Sequence, residues 1–137
     1  MKLHVDIVSA EGNIHSGEAS MVFAPAEMGE VGIAPRHAPL LTRLKPGTVR
    51  VQEPGGEMLE FFVGGGILEI QPHLVTVLAD TALRAKDADE AAAAKAKQAA
   101  EDKLGQAKSD MDVARAQAEL AEAAARLAFI KKLQSKR

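Results

Sequence analysis

The prolines end at Pro72, and from Asp87 onward alanine dominates the chain. All six prolines and every glycine except Gly105 lie before that boundary. Proline fixes φ and lacks an N–H, and glycine opens conformations closed to other residues, so both punctuate strands and turns. Alanine has the highest intrinsic helix propensity. No single regular architecture suits both halves. The expected organisation is a β domain over residues 1–86 followed by a two-helix hairpin over residues 87–137, within the size range of one small domain and an appendage.

In the first half, Leu3, Val5 and Ile7 alternate with His4 and Asp6, the period-two pattern of a half-buried strand. Further strands are predicted over Met21–Phe23, Val31–Ala34, Leu40–Leu44, Thr48–Gln52, Met58–Val63, Ile67–Ile70 and from Leu74 or Val75 to Leu78. The separators carry turn chemistry: Pro46-Gly47, Pro54-Gly55-Gly56, Gly64-Gly65-Gly66 and Gln71-Pro72. Many short strands at this spacing predict an all-β sandwich or flattened antiparallel barrel rather than βαβ units.

In the second half, Asp87 is placed to cap a first helix, with Asp89 and Glu90 in its opening turn, and Gly105 is placed to end it. Ser109 or Asp110 then caps a second helix. Val113, Ala116, Leu120, Ala123, Leu127 and Ile130 recur at alternating spacings of three and four, a seam for antiparallel packing. The facing side of the first helix offers mainly Ala93, Ala96 and Ala100, with Leu104 as its large side chain. Alanine buries little apolar surface, so the pairing is expected to be weak while each helix stays viable by propensity. A hairpin of this kind could leave the sandwich without melting.

Charge and composition narrow the function. The formal net charge of -2 disfavours a nucleic-acid binder, which needs a basic face. There are no cysteines, hence no disulfides and no thiolate metal site, and the four histidines show no paired ligand spacing. No cofactor or metal is expected. No apolar run approaches the roughly 20 residues that span a bilayer, and no signal-peptide pattern opens the chain, so a cytosolic protein without direct membrane insertion is expected. The glycines at 64–66 are not followed by Lys-Ser/Thr and lead into a strand, unlike a phosphate cradle. A catalytic role for His37 would need a nucleophile or an orienting carboxylate, and no such motif accompanies it. Patterning alone therefore leads to a β-sandwich with a helical hairpin, a binding protein rather than an enzyme.

Four blocks add a resemblance. The run Gly29-Glu30-Val31-Gly32-Ile33-Ala34-Pro35-Arg36-His37-Ala38-Pro39-Leu40-Leu41 closely resembles the signature loop of the epsilon subunits of rotary F-type ATP synthases. So do Leu44-Lys45-Pro46-Gly47, the run from Gly65 to Pro72, and Val75-Thr76-Val77-Leu78-Ala79-Asp80, in the same order and spacing. The resemblance covers essentially the whole chain and is looser in the hairpin. It implies a non-catalytic rotor part on the cytoplasmic side of a bacterial inner membrane. Such a sandwich docks on the gamma shaft and the c-ring, and its hairpin either folds on the sandwich or extends towards the alpha/beta head and impedes ATP hydrolysis. It further implies that Glu30, Val31, Arg36, His37, Pro39 and Leu40 contact gamma and the ring. Arg126, Lys131 and Lys132, with the basic Lys136 and Arg137, become candidates for docking on beta, since opposite charges steer association.

Some epsilon subunits bind a regulatory ATP through an Ile/Leu-Asp-x-x-Arg-Ala motif at the start of the hairpin. The corresponding run here, Ala88-Asp89-Glu90-Ala91-Ala92-Ala93, keeps the aspartate but neither the large apolar residue nor the arginine. Arg126 is retained, while Ala99 and Glu122 stand where the ATP-binding members carry arginines. Asp89 and Arg126 alone are a poor anion site, because phosphate recognition rests on several cationic donors and is opposed by an added carboxylate. Isothermal titration of the isolated chain with ATP is expected to show no tight binding; a saturable heat at micromolar nucleotide would overturn that expectation.

Overall fold

The computed structural model describes residues 2–85 and 89–135. Eight strands precede two helices: β1 Leu3–Ser9, β2 Gly12–Ala19, β3 Met21–Ala26, β4 Gly29–Ile33, β5 Leu40–Gln52, β6 Met58–Ile70, β7 Leu74–Ala79, β8 Ala82–Arg84, α1 Glu90–Gln106 and α2 Asp110–Ser135. The strands form one sheet in the order β2-β1-β7-β6-β5-β3-β4, with β8 added to β6. Val5 and Ile7 of β1, Val22 of β3 and Ile33 of β4 lie towards opposite ends of that order, yet all belong to one buried core. The sheet must therefore fold over on itself, which makes the sandwich. It does not close into a barrel, and the β1–β7 pair runs parallel among otherwise antiparallel neighbours.

The fold-over is carried by β5 and β6, each 13 residues long. This corrects two predicted breaks. Pro46-Gly47 and Gly64-Gly65-Gly66 do not separate strands; they face each other within one long hairpin, with Pro46 opposite Gly64 and Leu44 opposite Gly66. Gly65 and Gly66 take φ of 99° and 136°, and a Cβ on Gly66 would collide with the Leu78 carbonyl oxygen. A Cβ on Gly47 would lie 3.0 Å from the Pro25 side chain, and the β3–β5 register is interrupted between Phe23 and Ala26. The turn residues thus supply close approach and bending inside strands.

Strand β2 has no counterpart in the hydrophobic pattern. It is an edge strand with Ala19 as its one buried residue, so it offers no apolar alternation to read. Strand β8, three residues long, is below what patterning resolves. In the helical half, the Asp87 cap lies outside the described residues, as do Lys86, Ala88, Lys136 and Arg137. Asp89 is the N-cap of α1, its carboxylate accepting from the Ala92 amide at 3.1 Å. Gly105 does not end α1; it sits within the helix, which stops at Gln106. The Ser109 hydroxyl accepts from the Asp112 amide at 3.1 Å and opens α2.

The hairpin lies against the sandwich through a second core of Phe62, Ala93, Phe129 and Ile130, flanked by Leu83, Leu127 and Leu133. Of the expected seam, Ala116, Ala123 and Ile130 are buried and Val113, Leu120 and Leu127 are half-buried. Phe129, outside that seam, is the larger contact: its ring lies 6.1 Å from that of Phe62. Replacing Gly66 with alanine should cost about 3 kcal/mol, because the new Cβ meets backbone at a left-handed φ. Urea denaturation of the chain should show a lowered midpoint with unchanged slope.

Candidate partner interface and hairpin groove

The predicted contact residues fall into two places. Residues 34–39 join β4 to β5 and lean on the β6–β7 turn, where the Arg36 amide donates to the Pro72 carbonyl at 2.8 Å. Arg36 is the one non-glycine residue with positive φ, 68°, among the described residues. The His37 amide donates to Ala34 O at 3.2 Å, and its Nδ1 donates to Ala38 O at 2.7 Å. These bonds hold Arg36, Pro39 and Leu40 outward, all exposed, with His37 half-buried.

Glu30 and Val31 are elsewhere. They belong to β4, and three steps of strand, about 10 Å, separate Glu30 from Ile33, the last residue before the loop. Val31 packs on the sandwich core. Glu30 accepts from Arg50 at 2.7 Å, and the same guanidinium lies 4.4 Å from the centre of the Phe23 ring. Glu30 is therefore tied into the strand surface by an ion pair.

The structure adds an exposed apolar face beside the loop. Leu41 is 68% exposed, Ile67 45% and Leu78 49%. Ile67 stands directly opposite Leu78 on β7 and Arg43 on β5, while Leu41 stands opposite Glu69. The signal was present in the sequence as the doublets Leu40-Leu41, Ile67-Leu68 and Val77-Leu78. In an alternating strand, one member of each doublet must face outward.

In the hairpin, Arg126 sits in a groove of about 280 Å³ lined also by Ala96, Ala99, Ala100, Lys103, Glu119 and Glu122. Its Nε is buried with no hydrogen-bond partner among the described residues. Asp89 does not line that groove, and its carboxylate is occupied by the cap, so the two retained ATP-motif residues are not brought together. Lys103 bridges the two helices to Glu119 at 3.1 Å. Lys131 is exposed; Lys132, exposed as well, borders a cavity with Glu30, Arg50 and Glu60.

The fold also gathers His4, Asp6 and Ser16 across β1 and β2, a serine–histidine–aspartate set invisible to sequence spacing. His4 Nε2 is 2.9 Å from Asp6 Oδ1 and 3.1 Å from Ser16 Oγ, and Ser16 donates directly to Asp6 at 2.7 Å. A proton relay needs the acid on one imidazole nitrogen and the nucleophile on the other. Here both partners crowd one nitrogen, on an exposed sheet face, so the set is a surface hydrogen-bond cluster. The Ser16 hydroxyl, opposed by partial burial and helped by His4, holds the Asp6 carboxyl below its usual range.

Two family models cover the chain. The ATP synthase, Delta/Epsilon chain, beta-sandwich domain matches residues 2–85, and the ATP synthase, Delta/Epsilon chain, long alpha-helix domain matches residues 81–131. An ATP synthase epsilon chain of Nitrosococcus oceani is 63% identical over 136 residues, 99% of this chain and 97% of that one. The chain belongs to the family of ATP synthase epsilon chains. The family's epsilon chain from Alkalilimnicola ehrlichii is 62% identical, covering 96% and 94% of the two chains. Among solved structures, a chain of the Euglena gracilis mitochondrial ATP synthase, solved as OSCP/F1/c-ring, matches with a TM-score of 0.78 at 19% identity, over 93% of this chain and 80% of that one. A chain from the Tetrahymena thermophila mitochondrial ATP synthase central stalk and c-ring matches at 0.60 and 15% identity, over 97% of both. At these identities the two structures speak for the fold of the family. No helix among the described residues is long and apolar enough to cross a membrane.

A cleft of about 580 Å³ between β2, β6, β8 and the end of α2 is lined by His15, Phe61, Arg84 and Leu133. Arg84 also donates to the Ile14 carbonyl. His15 lies 5.1 Å from Phe61, its Nε2 buried and unpartnered among the described residues, and burial pushes its pKa below the ordinary 6.5. The folded chain thus disfavours the imidazolium that the unfolded chain accepts. The His15 contribution to stability is complete above pH 6.5 and is lost as pH falls below it, towards the depressed folded value. Thermal unfolding between pH 7 and 5 should show a decline in Tm that is shallower in His15→Phe.

Proposed function

We propose that this chain is a non-catalytic rotor subunit of an ATP synthase. Its sandwich (residues 1–86) docks on the gamma shaft and the c-ring, and its hairpin (residues 87–137) regulates ATP hydrolysis by the head. The observation that carries the proposal is the 63% identity to an epsilon chain over essentially the full length of both, both halves included. The rigid loop from residue 34 to residue 39 and the adjoining Leu41–Ile67–Leu78 face offer a partner apolar surface edged by Arg36 and Arg43. A surface of this kind suits a protein contact, since exposed apolar groups rimmed by polar ones gain by being covered. In this reading Arg36, His37, Pro39 and Leu40 meet the ring or shaft directly. Glu30, paired to Arg50, and Val31, packed inward, act by shaping β4.

The chain supplies position rather than chemistry to the complex, because the acid–histidine–hydroxyl cluster among the described residues lacks relay geometry. It attaches to the catalytic-head side of the membrane through its partners. The hairpin, helical by propensity and joined by alanine-rich contacts, is suited to leave the sandwich, with Lys131 and Lys132 steering it to acidic segments of beta and Arg126 following when the groove opens.

Reconstituting an epsilon-free catalytic complex with the full chain, and separately with a chain ending at Lys86, tests both parts. Both chains should bind, and only the full chain should slow ATP hydrolysis. If neither binds, the rotor assignment falls; if both bind and neither slows hydrolysis, the hairpin has no braking role.

A further inference from the structure

A hairpin that moves, as proposed above, needs a contact that holds it down at rest. Helix α2 meets the sandwich at Glu122 and Phe129, which lie on one face because seven residues make nearly two turns, and the exposed Arg115 follows on the same face a further seven residues back. At the C-terminal end the contact is apolar, Phe129 on Phe62. Two turns earlier it is a hydrogen bond: the Thr81 hydroxyl donates to Glu122 Oε1 at 2.7 Å. Arg115 and Glu122 border a cavity of about 590 Å³ beside the bend of β5 and β6, shared with Arg43, Asp80 and Glu119. This end of the interface is polar.

The bond exists because residue 64 has no side chain. Gly64 is buried, and its amide donates to the Thr81 carbonyl at 2.9 Å, which brings Thr81 over it. A Cβ at position 64 would overlap Thr81 Oγ1 and lie 2.5 Å from Glu122 Oε1. Gly65 and Gly66 need glycine for their positive φ; Gly64 does not, because its φ is not in the left-handed region. The space above it is what glycine provides, and the hydroxyl and carboxylate fill that space.

The geometry points to Gly64, Thr81 and Glu122 as a latch that selects the sandwich-bound state of the hairpin. The aromatic pair supplies adhesion and the latch supplies position, fixing the rotation of α2 about its axis. Because the latch is a single hydrogen bond in a solvated groove, it is the point at which the hairpin releases. A partner that competes for Glu122 or Thr81 would favour the extended state without disturbing the sandwich core.

The chain has no cysteine, so spin labels can be placed through His73→Cys on the sandwich and Gln117→Cys on α2, both at exposed positions. The distance distribution in the full chain then gives the ratio of bound to released hairpin. Thr81→Ala and Glu122→Ala are each expected to lower that ratio about fivefold, the effect of a net hydrogen bond of ordinary strength. Gly64→Ala should do the same although it alters neither bonding partner, and Thr81→Ser should retain the native ratio. Phe129→Ala sets the released limit, and circular dichroism of the strands checks that the sandwich stays folded. An unchanged ratio in both Thr81→Ala and Gly64→Ala overturns the latch. Because the readout uses the isolated chain, it is separate from the brake: released variants that leave hydrolysis by the reconstituted complex unaltered would sink the brake and keep the latch.

Discussion

The two halves of this protein are joined at Phe61 and Phe62 on β6. Neighbouring residues of a strand point to opposite faces, so Phe61 enters the sandwich core while Phe62 emerges under the hairpin. Without α2, Phe62 would be a solvated aromatic on the outside of a sheet; with it, Phe62 is 1% exposed. Residues 61–65 are buried without interruption, the signature of a strand covered on both sides. The hairpin is thus an outer layer for β6, and its position is set by that strand.

The same strand explains why the sandwich can be one sheet. A 13-residue hairpin cannot cross from one layer to the other without bending, and Gly64-Gly65-Gly66 opposite Leu44-Lys45-Pro46 is where it bends. Bending costs backbone conformations that only glycine tolerates, hence the positive φ at 65 and 66. It also opens a groove beside α2, so the element that makes the sandwich possible creates the polar end of the hairpin interface.

The candidate site was legible where its residues are neighbours in the chain and hidden where strands assemble it. The loop from residue 34 to residue 39 stands out because Pro35 and Pro39 interrupt the strand pattern around Arg36 and His37, and the structure makes it a hydrogen-bonded, outward-facing connection. The exposed face of Leu41, Ile67 and Leu78 comes from three strands, and only their pairing shows that these residues adjoin. The cluster of His4, Asp6 and Ser16 makes the converse point. Residue types suited to catalysis meet by strand register, and the choice of imidazole nitrogen decides that they do no such work.

By itself the sequence determined that a β half precedes an α half, and which faces of most strands and of α2 turn inward, because propensity and periodicity act over a few neighbouring residues. Its own residues also carried the family resemblance. Only the tertiary structure decided that the glycine and Pro-Gly runs bend strands rather than end them, that β1 pairs parallel with β7, and that an edge strand without apolar alternation completes the sheet. It alone set Phe129 on Phe62 and Glu122 on Thr81. Those contacts join residues 41 or more positions apart, and no local rule sees them. They exist because folding the sheet leaves one aromatic and one empty glycine site facing outward, and α2 is the element that covers both.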